Sequence, residues 1–137
     1  MNGHAVETGS CKNVLEGVEM WGAGRRGHGV IMNEGAVSYE RVKERQIVLG
    51  MCTTSNVQTK AVHQYSEHAI GNLHKDGRKV RINTDNRTVS NTTMEKEIYL
   101  VNKEYNLSEE DYRQIYLNSV EASFADQETK EWCLAQY

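Results

Sequence analysis

Residues 77–86 read Gly77-Arg78-Lys79-Val80-Arg81-Ile82-Asn83-Thr84-Asp85-Asn86. A short β-branched run ends here in a carboxylate. An acidic residue just past such a strand is where a barrel enzyme places a metal ligand or a catalytic carboxylate. Three further segments stand upstream, in order and at plausible spacing. They are His4-Ala5-Val6-Glu7, Arg26-Gly27-His28-Gly29 and Cys52-Thr53-Thr54-Ser55-Asn56.

Short apolar runs alternate with helical periodicity along the chain, which argues for βα units and a parallel sheet. The clearest buried strand spans residues 46–52, and residues 79–83 form the next. Residues 10–21 read as a helix with Val14, Leu15, Val18 and Trp21 on one face, and residues 34–44 as a second helix with a poor apolar stripe. Ser66 can cap a short helix that turns Ala69, Ile70 and Leu73 inward, after which Asp76-Gly77 reverses the chain. Residues 93–104 place Met94, Ile98, Val101 and Tyr105 on one helix face. Ser108 followed by Asp111 is a capping-box start for a helix that buries Tyr112, Ile115, Tyr116 and Val120. A last helix over residues 127–135 offers Trp132 and Leu134. The first two strands are weakly encoded. Only Met1, Asn2 and Gly3 precede His4, and Gly24, Arg25 and Arg26 precede Gly27. Arginines entering a core without partners are costly, so these two strands are expected to fray.

A chain of 137 residues reads as a single domain, 1–137, able to bury a core. It is too short for a whole (β/α)8 barrel, which needs about 200–250 residues. The net charge of −3 gives no argument for nucleic acid or an anionic membrane. No apolar run reaches membrane-spanning length, and Met1-Asn2-Gly3-His4 lacks the features of a signal peptide. The expected location is the cytoplasm. Cys11, Cys52 and Cys133 contain no Cys-x-x-Cys pair and read as free thiols in a reducing compartment.

The four segments together resemble the C-terminal part of the adenosine deaminase family. Its members read His-Ala-Gly-Glu, then Gly-His-Gly, then Cys-Pro-Thr-Ser-Asn, then Asn-Thr-Asp-Asp-Pro. The likeness continues through residues 107–111, Leu-Ser-Glu-Glu-Asp, and 118–124, Asn-Ser-Val-Glu-Ala-Ser-Phe, so that it covers nearly the whole chain. It implies an α/β fold that is the C-terminal half of a (β/α)8 TIM-type barrel, about four βα units. It implies a zinc-dependent aminohydrolase that converts adenosine to inosine. By matching position, His4 and Asp85 are zinc ligands, Glu7 is the proton donor to the purine ring, and His28 orients or deprotonates the attacking water. Asn86 and Val6 occupy substrate-binding positions.

The chain departs from the family at several of these points. Val6 stands for a glycine, Asn86 for an aspartate, and Thr53 and Arg87 for prolines; the chain has no proline at all. A β-branched side chain at Val6 crowds the base. Asn86 is uncharged and both donates and accepts. The family's His-x-His pair, which supplies two further zinc ligands, does not occur in the sequence. Catalytic zinc usually has three protein ligands and a water. The isolated chain is therefore expected to be inactive or nearly so, and to dimerise or pair with an N-terminal half-barrel. The rival reading is a non-catalytic half-barrel acting as a self-association or complementation module. A remnant that holds a purine without turning it over is a third. Gly22-Ala23-Gly24-Arg25-Arg26-Gly27 matches a dinucleotide-binding pattern but follows a predicted helix, so the required context fails. His63, His68 and His74 lack i, i+4 spacing and read as surface residues.

Overall fold

The computed structural model describes residues 2–4, 25–27, 40 and 43–136, with only the main chain at 2–4 and 25–27. Four strands, β1 (Asn2–His4), β2 (Arg25–Gly27), β3 (Val48–Met51) and β4 (Val80–Ile82), form one sheet in the order β1-β2-β3-β4. All three pairings are parallel. The two weakly encoded strands thus pair instead of fraying. Main-chain hydrogen bonds make a ladder whatever the side chains, and three residues suffice to align each strand with its neighbour.

Helix α1 (Thr53–Gln58) follows β3 directly. A 3-10 turn (Tyr65–Glu67) and α2 (Ile70–Lys75) complete the crossover to β4. Beyond β4 come α3 (Arg87–Ser90), α4 (Met94–Tyr105), α5 (Glu109–Glu121) and α6 (Gln127–Leu134). The sequence places Ser66 as a cap of the short helix. Ser66 lies instead within the 3-10 turn, and α2 begins after Ala69 without a side-chain cap. The predicted helix over 10–21 lies outside the described residues, as does most of the one over 34–44.

The longer helices start where their caps dictate. The Thr93 side chain accepts from the Lys96 N–H at the head of α4, and the Asp126 side chain accepts from the Thr129 N–H at the head of α6. Ser108 and Asp111 form the full reciprocal capping box of α5. Asn106 ends α4 in the left-handed region, at φ +48°, a conformation asparagine tolerates better than most residues. Asp111 has a second partner, accepting from His74 Nε2 of α2 at 2.7 Å. The Ser108 and His74 hydrogen bonds together hold its pKa down at about 2.

Leu49 and Met51 pair with Val80 and Ile82, and all four are buried. With Ile70 and Leu73 of α2, Val101 of α4 and Ile115 of α5, they make the core between sheet and helices. Val48, on the opposite face of β3, is buried as well, as a strand covered on both sides requires. At the outer edge of β4 the Asn118 side chain of α5 donates to the Val80 carbonyl at 3.0 Å. No helix among the described residues is long and apolar enough to cross a membrane.

Two predicted faces differ from the sequence reading. Met94 and Ile98 are exposed, and α4 buries Glu97 and Val101 instead. The buried stripe runs 97, 101, 105, because a carboxylate with partners of its own displaces an isoleucine from the seam. Trp132 is 65% exposed and Leu134 is also exposed, so α6 contributes no buried side chain. Its link to α5 includes a polar bond, from the Tyr116 hydroxyl to the Cys133 carbonyl at 3.0 Å.

Gly71 faces the Tyr105 ring. A Cβ at Gly71 would lie 2.2 Å from Tyr105 Cδ1. The ring cannot retreat easily, because its hydroxyl bonds the Tyr65 carbonyl at 3.0 Å and the His68 carbonyl as well. Gly71→Ala should therefore destabilise the chain, despite the better helix propensity of alanine, by about 1–3 kcal/mol. Urea unfolding monitored by circular dichroism measures this; an unchanged midpoint would mean that the ring moves aside.

Candidate functional site

The parallel register brings the ends of the four strands together. His4 stands opposite Gly27, Gly27 opposite Gly50, and Gly50 opposite Arg81. His4 is thus the last residue of β1, and position 28 follows the last residue of β2. The 52–56 segment leaves the same end of the sheet after β3, and the 83–86 segment leaves it after β4. The four strands at whose ends these sequence segments lie therefore finish at one rim. Of the predicted site residues, Val6, Glu7 and His28 lie outside the described residues, and for His4 only the main chain is described.

Asp85 is exposed and sits in the left-handed region, at φ +55°. For a residue with a Cβ that conformation costs roughly 1–2 kcal/mol, and it persists where the surroundings hold it. One restraint is visible: the Ser55 hydroxyl donates to Asp85 Oδ2 at 2.8 Å. Asn86 is the N-cap of α3. Its Oδ1 accepts from the Thr88 and Val89 N–H groups, each at 3.1 Å. Its carboxamide oxygen is thus committed to the helix, and the amide nitrogen is the group it can offer a ligand.

The loop behind Asp85 rests on a buried polar layer. Thr53, Thr54, Ser55 and Asn56, the first turn of α1, are all buried. Glu97, 0% exposed, reaches in from α4. Its Oε2 accepts from the Thr53 hydroxyl and from the Thr54 N–H at 3.1 Å, and its Oε1 accepts from the Thr92 hydroxyl at 2.6 Å. These partners satisfy a group whose burial would otherwise be costly.

His68, expected at the surface, is 1% exposed. Its Nδ1 accepts from the Ile70 N–H at 3.3 Å. The proton therefore sits on Nε2, which donates to Asn56 Oδ1 at 3.1 Å. Burial lowers the His68 pKa to about 4, against the opposing pull of the Glu97 charge. Neither His68 nor Glu97 stands out in the sequence. Glu97 sits beside Glu95 and Lys96 on a helix whose sequence offers Met94, Ile98, Val101 and Tyr105 as its apolar face. The available signal was its spacing of four from Val101 and eight from Tyr105. His74 is half-buried and tied to Asp111, while His63 is exposed. Among the described residues no group of three His, Cys, Asp or Glu side chains could hold a metal ion.

A parallel α/β sheet with polar segments gathered at the C-terminal ends of its strands is the arrangement of a barrel-type enzyme. The sequence model of the adenosine deaminase family matches residues 1–136, and the chain belongs to that family. It is 53% identical over 128 residues to an adenosine deaminase of Clostridium botulinum (strain Okra / Type B1), covering 93% of this chain and 38% of that protein. Its fold is that of an adenine deaminase from Arthrobacter aurescens, with a TM-score of 0.93 at 24% identity, over 98% of this chain and 41% of the other. An amidohydrolase from Burkholderia ambifaria with bound Zn superposes with a TM-score of 0.84 at 23% identity, over 98% and 38% of the two chains. The chain thus spans about two fifths of the length of the relatives it matches.

The His68 environment has a pH consequence. Its folded pKa of about 4 lies below the ordinary 6.5, so the unfolded chain binds the proton more readily. The associated stability is fully present above pH 6.5 and is lost as pH falls toward 4, up to an order of 3 kcal/mol. Urea midpoints at pH 7, 5.5 and 4.5 should decline for the native chain. The His68→Gln variant should lack the histidine's share of that decline, and parallel profiles for the two chains would contradict this assignment.

Proposed function

We propose that this chain is the C-terminal half of a zinc-dependent adenosine deaminase barrel, strand-helix units five to eight, folded as one partial-barrel domain over residues 1–137. Its inherited reaction is hydrolytic: adenosine and water give inosine and ammonia. The observation that carries this reading is the alignment of the ends of β1, β2, β3 and β4, with His4 closing β1 and the segment that holds Asp85 following β4. A family match over residues 1–136 supports it.

In this reading His4 and Asp85 hold the metal. Zinc, when bound, lowers the pKa of its water to about 7 and acts as a Lewis acid. The donor types fit, an imidazole and a carboxylate. Their number falls short of the usual three. His28 orients the water or takes its proton, which requires a neutral imidazole. Glu7 delivers a proton to the purine ring nitrogen, a role for a carboxylic acid in a dry pocket. Asn86 offers its amide nitrogen to the purine, and Val6 lies beside the base. The cytoplasm is the proposed location.

The isolated chain, in this reading, is inactive or nearly so until an N-terminal half-barrel supplies the His-x-His pair. Adenosine-to-inosine conversion tests this, followed by the change in ultraviolet absorbance with zinc added and with chelator as control. The chain alone should give no turnover. Co-expression with the N-terminal half of the Clostridium botulinum relative should restore it, and Glu7→Gln or His28→Ala should remove it again by at least about a hundredfold. A stable complex of the two halves without turnover would defeat the proposal. The rival reading, a non-catalytic association module, draws on the exposure of Phe124, Trp132 and Val89. It calls for a concentration-dependent sedimentation coefficient of the isolated chain and no zinc uptake.

A further inference from the structure

We infer that Glu97 is a positioning residue for Asp85, acting through the first turn of α1 and Ser55. The inference deepens the deaminase reading, and rests on it for the role of Asp85 as a metal ligand. Glu97 lies outside the four rim segments in sequence and is not hydrogen-bonded to Asp85 or Asn86 in the described contacts. Its carboxylate is nonetheless the buried junction of the two loops that meet at Asp85. From the β3 side it takes the Thr53 hydroxyl and the Thr54 N–H, and Ser55, the next residue, donates to Asp85. From the β4 side it takes the hydroxyl of Thr92, in the segment that opens with Asp85 and Asn86. A further bond joins the same two segments, from Gln58 Nε2 to the Ser90 carbonyl at 3.1 Å. One fully buried carboxylate thus fixes the spacing between the hydroxyl that restrains Asp85 and the backbone that carries it.

The chemistry calls for an acceptor with two oxygens. Donors approach both: Thr53 and Thr54 on Oε2, and Thr92 on Oε1. A glutamine of the same shape can keep its oxygen on Thr53 and Thr54 and donate to the Thr92 hydroxyl, which also accepts, but it loses the charge that strengthens all three bonds. Glu97→Gln therefore perturbs the junction without opening a cavity. Asp85 must feel this, because its left-handed backbone depends on restraint from its surroundings.

The test is a double-mutant cycle on the purified chain without added metal, read at the Asp85 backbone amide by nuclear magnetic resonance. Glu97→Gln and Ser55→Ala should each shift that resonance and speed its hydrogen exchange by about tenfold. The double variant should exchange no faster than Ser55→Ala alone, since Glu97 acts through Ser55. An unmoved Asp85 amide in Glu97→Gln, or effects that multiply, would overturn the inference. If Glu97→Gln does not fold, Thr53→Val takes its place in the same cycle, removing one donor and leaving the carboxylate. A generally loosened structure would instead move the amides of Ile115 and Val120 as much as that of Asp85, and this too would count against positioning. Titration of the native chain with cobalt(II), followed by its visible absorption, addresses the metal separately. An absent cobalt band would count against Asp85 as a metal ligand, while the Asp85 amide still decides the role of Glu97.

Discussion

The pairing of β3 with β4 is the constraint on which the rest of the described structure depends. It sets Leu49 beside Val80 and Met51 beside Ile82, so that one face of the two strands becomes a continuous apolar floor. α2, α4 and α5 all lay side chains on that floor. The same register decides where each strand ends, and therefore where α1 and the 83–86 loop begin. A slip of one residue would turn Arg81 toward the helices and Val80 away from them. Core and rim are thus consequences of a single alignment.

Above the apolar floor lies a polar layer that carries little of the burial and much of the geometry. Glu97 and the Asn56–His68 pair are fully buried, yet each is supplied with partners. The histidine stays neutral because the interior disfavours its charge. The carboxylate is surrounded by hydroxyl and amide donors. The loops over the sheet are consequently fixed by directional bonds, which specify an arrangement more sharply than apolar contact alone can. That suits the end of a barrel where chemistry is placed, since reacting groups need angles as well as proximity.

Much of the fold is legible in the sequence because its signals are local. The β-branched and aliphatic runs of β3 and β4, the capping box at Ser108 and Asp111, and the inward set Ala69, Ile70 and Leu73 all rest on short-range rules, and the structure follows them. Two of the failures, at α4 and at His68, share a physical source. The sequence favours Met94 and Ile98 as the buried face of α4 because apolar residues ordinarily win that place. Glu97 wins because Thr92, five residues before it, and Thr53 and Thr54, 44 and 43 residues away in α1, receive it, and no local pattern announces the last two. His68 is hidden for the same reason, its partner Asn56 lying across a turn. At the site, the motif order points to Asp85 and Asn86. It does not reveal that Ser55 bonds the one, or that the other spends its oxygen on a helix cap.

The Asn118 amide on the Val80 carbonyl bears on how the outer margin of the sheet meets other surfaces. In a parallel ladder successive residues point their carbonyls to opposite sides, and Lys79 already gives its own to Leu49, so the Val80 carbonyl faces away from β3. There it meets α5 and not open solvent. A strand arriving at this margin would exchange one hydrogen bond for another at that position, with little enthalpy to gain. At that position adhesion would then have to come from apolar burial, whose strength fades on cooling. One asparagine thereby gives this point of the margin a thermal character: reluctant in the cold, and more adhesive as the temperature rises.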